Sequence, residues 1–66
     1  MTSNTQTDSV VLTKWGELKT LVETLEEDVT KNASGNAAAG VRARKGLRTL
    51  KQTTADLVKL TLNKEA

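Results

Sequence analysis

The sequence of 66 residues contains no cysteine, no histidine and no proline, and Trp15 is its single aromatic residue. Without cysteine there can be no disulfide, and without thiolate or imidazole ligands we expect no metal site. General acid–base and covalent catalysis most often use histidine, cysteine or tyrosine, and none of these is present. We therefore expect no enzyme activity, no cofactor and no small-molecule substrate.

Long apolar runs are also missing. A membrane-spanning helix needs roughly 20 predominantly apolar residues in succession, and no segment of this chain approaches that pattern. The opening "MTSNTQTDS" lacks the basic segment followed by an apolar run that marks a secretory signal. We therefore expect a cytoplasmic protein without a membrane partner.

The chain is short, and it has neither disulfides nor a metal site to stabilise it. A chain of this length buries too little surface for a comfortable margin of stability by itself. Association with a second copy is the remaining means of stabilisation. We therefore expect a homodimer or a higher oligomer.

The charged residues are divided unequally between the two halves of the chain. Residues 1–31 hold six acidic side chains and three lysines, a net charge of −3, whereas residues 32–66 hold seven basic and two acidic side chains, a net charge of +5. A basic half suggests nucleic acid or an acidic protein as the partner. An acidic helix packed against a basic helix would give the same contrast, so the charges leave both interpretations open.

The first half predicts one amphipathic helix. We expect residues 1–8 to form a disordered tail because they are polar and lack periodicity. From there, apolar side chains recur at alternating spacings of four and three, which places them on one stripe of a helix over 9–32. The stripe consists of Val11, Trp15, Leu18, Val22, Leu25 and Val29.

The run "NASGN" predicts a turn over 33–36, followed by a second helix over 37–63. Gly35 can adopt the left-handed conformation that ends a helix, and Asn36 can cap the next one. Because the connection is short, the second helix should fold back antiparallel on the first, with Trp15 opposite Thr54. Its predicted stripe is rich in small and hydroxyl side chains: Gly40, Ala43, Leu47, Leu50, Thr54, Leu57 and Thr61.

These elements predict an all-α fold in which residues 9–64 form an antiparallel two-helix hairpin. A single hairpin would leave many apolar side chains half exposed, and full burial of each contributes roughly 1.5–3 kcal/mol. We expect two hairpins to pair into a four-helix bundle or a coiled-coil assembly. The predicted oligomer interface consists of Trp15, Leu18, Val22, Leu25, Leu47, Leu50 and Leu57.

Basic residues form a second stripe along the predicted second helix, beside its apolar stripe. Such a row of cations parallel to a helix axis suits contact with a phosphate backbone. It is equally typical of a solvated helix face that is balanced by the glutamates of the first helix. Five cations lie on this stripe, and Arg42 lies elsewhere on the helix, closer to the opposite shoulder of the apolar stripe. The predicted DNA-contacting residues are Arg42, Arg44, Lys45, Arg48, Lys51 and Lys59.

The segment "GNAAAGVRARKGLRTLK", residues 35–51, is similar to the central motif of the short bacterial linker-histone-like proteins, the chlamydial-type histone-like DNA-binding family. That motif contains Gly-Asn, Ala-Ala-Gly and Arg-Ala-Arg-Lys in this order, followed by a leucine-patterned helix. An acidic, leucine-patterned helix precedes it in the family, as it does here, so the resemblance covers most of residues 10–62. It implies a nucleoid-associated protein with a role in chromatin condensation, in which Arg42, Arg44, Lys45 and Arg48 are the basic positions.

Two functions fit the sequence. The first is a histone-like protein that binds double-stranded DNA without sequence specificity, through phosphate contacts from the second helix. The alternative is a helical, oligomeric structural or regulatory module that binds protein and does not bind DNA.

Overall fold

The computed structural model describes residues 9–65, with side chains for 9–64, and consists of two α-helices. Helix α1 spans Ser9–Ala33 and helix α2 spans Ala37–Glu65. The helices pack against each other and run antiparallel, as the contact of Leu25 with Gly46 and the ion pair of Asp28 with Arg42 require. The predicted all-helical class is therefore confirmed, while the predicted tail over 1–8 lies outside the described residues.

The turn between the helices follows from two residues of the "NASGN" run. Gly35 has a φ of 103°, a left-handed conformation that glycine adopts without a Cβ penalty. The amide of Gly35 donates to the carbonyl of Asn32 at 2.9 Å, and that of Asn36 donates to the carbonyl of Lys31 at 3.1 Å. This pair of bonds closes α1 with a Schellman motif.

Asn36 then begins the second helix. Its side-chain Oδ1 accepts a hydrogen bond from the amide of Ala39 at 2.9 Å, which satisfies one of the free donors at the helix start. The predicted left-handed Gly35 and the predicted cap at Asn36 are both confirmed. The reversal of the chain therefore depends on local chemistry that the sequence displays directly.

The contact between the helices is lined by small residues on α2. Leu25 of α1 is 6% exposed and packs against Gly46, where an added Cβ would collide with the leucine side chain. Ala39 and Ala43 are buried beside it, and so is the side chain of Thr53. The small residues in the first half of α2 allow the two backbones to approach closely there, and farther along the same side Leu50, Leu57 and Leu60 are partly buried.

The predicted helix stripes differ from the contact surface that the structure shows. On α1 the positions shared by both are Val11, Leu18 and Leu25, but the residues that alternate with them are Lys14, Leu21 and Asp28, which are partly buried. On α2 four predicted positions are buried or partly buried: Gly40, Ala43, Leu50 and Leu57. The other predicted stripe residues of α1, apart from those shared positions, and several predicted stripe residues of α2 are exposed: Trp15, Val22, Val29, Leu47, Thr54 and Thr61.

The physical reason for this difference is the position of the small residues on α2. A stripe through Ala39, Ala43 and Gly46 lets α1 come closer than a stripe through Leu47 would, because no large side chain separates the helices. Close approach therefore selects the contact surface, although a neighbouring stripe is more apolar. As a result Trp15 does not pack against Thr54, and Thr53 is the buried threonine.

The hairpin is a slab one helix thick. Its principal extents are 51 × 20 × 11 Å, and 11 Å is the diameter of a single helix. The radius of gyration is 15.6 Å, compared with about 11 Å for a compact chain of similar length. Over the described residues, neither helix has a stretch apolar and long enough to span a membrane. A slab of this kind has two broad faces and two edges, and each carries different chemistry.

Candidate nucleic-acid interface

The basic residues of α2 lie along the edge of the slab that faces away from α1. At about 100° per residue, five cations occupy an arc centred opposite the line of Ala39, Ala43 and Gly46 that contacts α1. All five are exposed, and they form what we call the basic edge. The basic edge consists of Arg44, Lys45, Arg48, Lys51 and Lys59.

Arg42, the sixth predicted cation, lies apart from this edge. Its Nε donates to Oδ1 of Asp28 at 3.0 Å and bridges the two helices on one broad face of the slab. The carboxylate side chain is 17% exposed and the arginine side chain is 54% exposed. Arg42 therefore joins the helices, and half of its surface is still open to solvent.

The glutamates of α1 do not neutralise the basic edge. Within residues 9–64, ion pairs join Lys14 to Glu17 at 3.2 Å and Lys31 to Glu27 at 3.7 Å, both inside α1. No carboxylate of these residues lies within 4.0 Å of a cation of the basic edge. Within residues 9–64, Arg42 is therefore the one predicted DNA-contacting residue that pairs directly with a carboxylate of α1.

The basic edge extends along several turns of α2. From Arg44 to Lys59 a helix rising about 1.5 Å per residue covers roughly 22 Å. Three of the cations, Arg44, Arg48 and Lys51, follow each other at helical spacings of four and three and so share one side. A phosphate strand lying along α2 would meet a cation on nearly every turn.

The opposite edge of the slab, formed by α1, has the opposite sign. At about 100° per residue, Glu23 and Glu27 point away from α2, and both are exposed. The slab is 20 Å wide, so these carboxylates and the cations of α2 are separated by more than a screening length of about 8 Å at physiological ionic strength. A polyanion would therefore approach the α2 edge and avoid the α1 edge.

Other kinds of site are not found in the described part of the chain. No group of three potential metal ligands occurs there. Trp15 is 46% exposed, with Nζ of Lys19 at 6.0 Å from its ring centroid. It lies on α1, away from the basic edge, so it is not placed to stack on a base beside those cations.

Large apolar side chains remain outside the helix contact, as expected for a single hairpin, but the heptad pattern did not indicate which ones. Val41 and Leu62 are each 60% exposed, and Leu12 is 55% exposed. The signal in the sequence was the run of small residues "AAAG" at the start of α2, which marks the side where helices approach most closely.

Comparison with known proteins identifies a family. The family model described as "Histone H1-like protein Hc1" matches residues 13–62, which is about three quarters of the chain and nearly the whole hairpin. The matched range contains the turn, the basic edge and the motif that begins at Gly35, and it confirms the resemblance found in the sequence. No curated protein and no solved structure matches the chain significantly.

Proposed function

Since this chain belongs to the family of the histone H1-like protein Hc1, we propose that it is a nucleoid-associated protein that binds double-stranded DNA. The DNA contact is the basic edge of α2. The observation that carries the proposal is that five exposed cations lie on one side of one helix without a carboxylate partner among residues 9–64. Exposed cations of this kind release the counterions of a phosphate backbone on binding, which favours association.

Binding uses the phosphates and does not read the base sequence. The basic edge carries arginines and lysines, and arginine holds a phosphate through two parallel hydrogen bonds. Amide side chains read adenine in the major groove. Between Arg44 and Lys59 the one amide side chain is that of Gln52, and its Nε2 donates to Oδ1 of Asp56 at 3.0 Å. The contacts expected from this edge therefore fix the position of the protein on DNA without selecting a sequence.

The protein acts as a homodimer or a higher oligomer. Only Leu25, Ala39 and Ala43 are buried apolar residues in the described hairpin, which is a small core for a stable chain. Among the predicted interface residues, Trp15, Val22 and Leu47 have large exposed surfaces that a second copy would cover. Association also doubles the number of cations available to one duplex and so strengthens binding through multivalency.

A titration of duplex DNA at several salt concentrations tests the proposed contact. With five cations per copy, a dimer makes ten phosphate contacts, and the slope of log affinity against log salt is then about −9. Duplexes of unrelated sequence should bind with equal affinity. A slope near zero, or a strong preference for one sequence, would refute the proposal.

A matched pair of triple variants assigns the contact to the basic edge. The test variant is Arg44→Gln/Arg48→Gln/Lys51→Gln. The control, Lys14→Gln/Lys31→Gln/Lys64→Gln, removes the same charge from positions outside the basic edge. The test variant should bring the salt slope to about −4, because six contacts are lost per dimer, and the control should leave the slope unchanged. Equal effects of the two variants would mean that total charge matters and the basic edge does not.

The alternative function is a helical module that binds protein. The half-exposed Trp15 and its apolar neighbours favour it, since large exposed apolar side chains grouped together mark interaction sites. The same variants distinguish the two functions. The alternative is correct if two results are found together. The first is that the protein does not bind DNA, or binds it equally well after the basic edge is neutralised. The second is that the same substitutions disrupt the assembly.

A further inference from the structure

One broad face of the slab is apolar. Five large side chains on it are between 46% and 52% exposed, so each has about half of its surface in water. We call this surface the apolar face. It consists of Trp15, Val22 and Val29 from α1, and Leu47 and Val58 from α2.

The other broad face is polar. It carries the ion pair of Asp28 with Arg42. A shallow groove on the same side is lined by residues of both helices, most of them polar: Glu17, Thr20 and Leu21 from α1, Thr49 and Thr53 from α2.

Helix geometry puts the five apolar residues on the same side of the slab. At about 100° per residue, the three members from α1 lie on the flank of that helix away from Asp28. The two members from α2 lie on the flank away from Arg42. Because Asp28 and Arg42 bond to each other across one face, both of the remaining flanks must belong to the opposite face. The slab is therefore amphipathic, with one polar face and one apolar face.

The apolar face is large enough for a stable interface. A slab of 51 by 20 Å presents about 1,000 Å² in projection, and a standard protein interface buries about 800 Å² on each partner. The slab is also only one helix thick, so nothing in the described chain lies behind this face to cover it. The eight residues before Ser9 are polar apart from Met1, so they offer little apolar surface for that purpose.

The pattern along α1 is self-complementary, which selects a second copy as the occupant. Lys19 lies between Trp15 and Val22, and Glu26 lies between Val22 and Val29, all at helical spacings of three and four. If two α1 helices meet antiparallel with Val22 at the centre, Trp15 of one copy faces Val29 of the other. Lys19 then comes within side-chain reach of Glu26 of the other copy. A twofold interface has this property because each contact occurs twice.

We propose that the apolar face is the surface where a second copy of this chain docks, face to face, with the twofold axis at Val22. The result is a two-layered bundle of four helices whose interior contains Trp15. The basic edges of both copies stay open, because they lie on an edge of the slab and not on the face that is covered. This inference rests on the proposed self-association, and it does not require DNA binding.

The chain without DNA provides the first test. Sedimentation velocity at micromolar concentration should give about twice the monomer mass of 7.1 kDa. Trp15 is the single tryptophan, so its fluorescence should shift to longer wavelength on dilution, as the interface opens. A folded monomer at all concentrations, an assembly larger than a dimer, or a dimer whose tryptophan emission does not change on dilution would overturn the proposal.

Substitutions on the two flanks of α1 provide the second test. Val22→Glu places a carboxylate at the centre of the apolar face, and Thr24→Glu places the same charge on the other flank of the same helix, at an exposed position. Val22→Glu should raise the dissociation constant of the dimer by more than roughly tenfold, because an unpaired charge would be buried. Thr24→Glu should leave it unchanged. Equal effects, or the reverse order, would overturn the proposal.

Cysteine cross-linking tests the same interface if the Val22→Glu variant does not fold. The chain contains no cysteine, so a single introduced thiol reports on one position only. Val22→Cys should form a covalent dimer on oxidation because the two thiols meet near the twofold axis, whereas Thr24→Cys should remain a monomer under denaturing conditions. If Thr24→Cys cross-links as efficiently as Val22→Cys, the apolar face is not the interface.

Discussion

Two glycines of the hairpin should respond in opposite ways to the same substitution. Replacing glycine by alanine inside a helix stabilises it by about 0.5–1 kcal/mol, because alanine loses less backbone freedom on folding. At Gly16 an added Cβ would meet no atom within 4 Å. Gly16→Ala should therefore raise the free energy of unfolding by about 0.5–1 kcal/mol.

At Gly46 the packing of Leu25 outweighs this gain. The added Cβ would collide with Cδ2 of Leu25 and would lie 3.1 Å from its Cγ. Leu25 is 6% exposed, so it has little free space into which it can move. Overpacking a core costs about 1–3 kcal/mol, so Gly46→Ala should lower the free energy of unfolding by about 1 kcal/mol after the helix gain is subtracted.

Thermal unfolding followed by circular dichroism separates the two cases. For a domain of this size, 1 kcal/mol corresponds to roughly 4–8 °C in Tm, so the two variants should move in opposite directions by several degrees. All proteins are measured at one concentration, because self-association makes Tm depend on concentration. If Gly46→Ala stabilises the protein as much as Gly16→Ala, the close contact of the helices at Gly46 is refuted.

A double variant tests whether Leu25 is the cause. Leu25→Ala alone should cost about 2–5 kcal/mol by leaving a cavity. In that background Gly46→Ala should no longer destabilise, since the new methyl group enters the space that the leucine has left. Additive effects of the two substitutions would mean that they do not touch, because coupling is expected only between residues in contact.

Further substitutions test the turn and the role of Arg42. Gly35→Ala should lower the free energy of unfolding by about 1–2 kcal/mol in urea denaturation, because the left-handed conformation is unfavourable for alanine. Asn36→Ala should cost about 1 kcal/mol in the same assay, whereas Asn36→Asp should retain the cap and most of the stability. Arg42→Gln should weaken DNA binding less than Arg48→Gln in a titration, because Arg42 is bonded to Asp28 and lies off the basic edge. Equal losses from these two variants would contradict that placement.

The turn could be predicted from the sequence because its chemistry is local. Gly35 and Asn36 are adjacent, and each has a backbone or capping role that few other residues fill. The helices could be predicted as elements for a similar reason, since their apolar periodicity repeats over many turns. Their bounds in the structure, Ser9–Ala33 and Ala37–Glu65, are within two residues of the predicted ranges.

The contact surface of α1 could not be predicted, because the sequence of α1 allows two neighbouring stripes. Leu18 and Leu25 belong to both, and the choice between Leu21 and Val22 as the next member is made by α2. The deciding feature, the fit of Leu25 against Gly46, joins residues on different helices. Periodicity within one helix holds no information about it.

The same choice determines what the outside of the molecule presents. Because the first half of α2 uses alanine and glycine to contact α1, Leu47 and Val58 of α2, together with Trp15 and Val22 of α1, stay exposed. The basic edge, in turn, faces directly away from α1 because the line of small residues is centred opposite those cations. The packing of α1 against the small residues of α2 therefore determines the positions of both the apolar face and the basic edge.

Separation of these two surfaces has a functional consequence. If the second copy docks on the apolar face and DNA lies along the basic edge, neither partner covers the residues that the other one needs. DNA binding and self-association then support each other through multivalency, since a dimer presents twice the cations of a monomer to the same duplex. A protein that used one surface for both partners would instead release its second copy when it bound DNA. The slab shape, with different chemistry on its face and on its edge, is what makes the cooperative outcome possible.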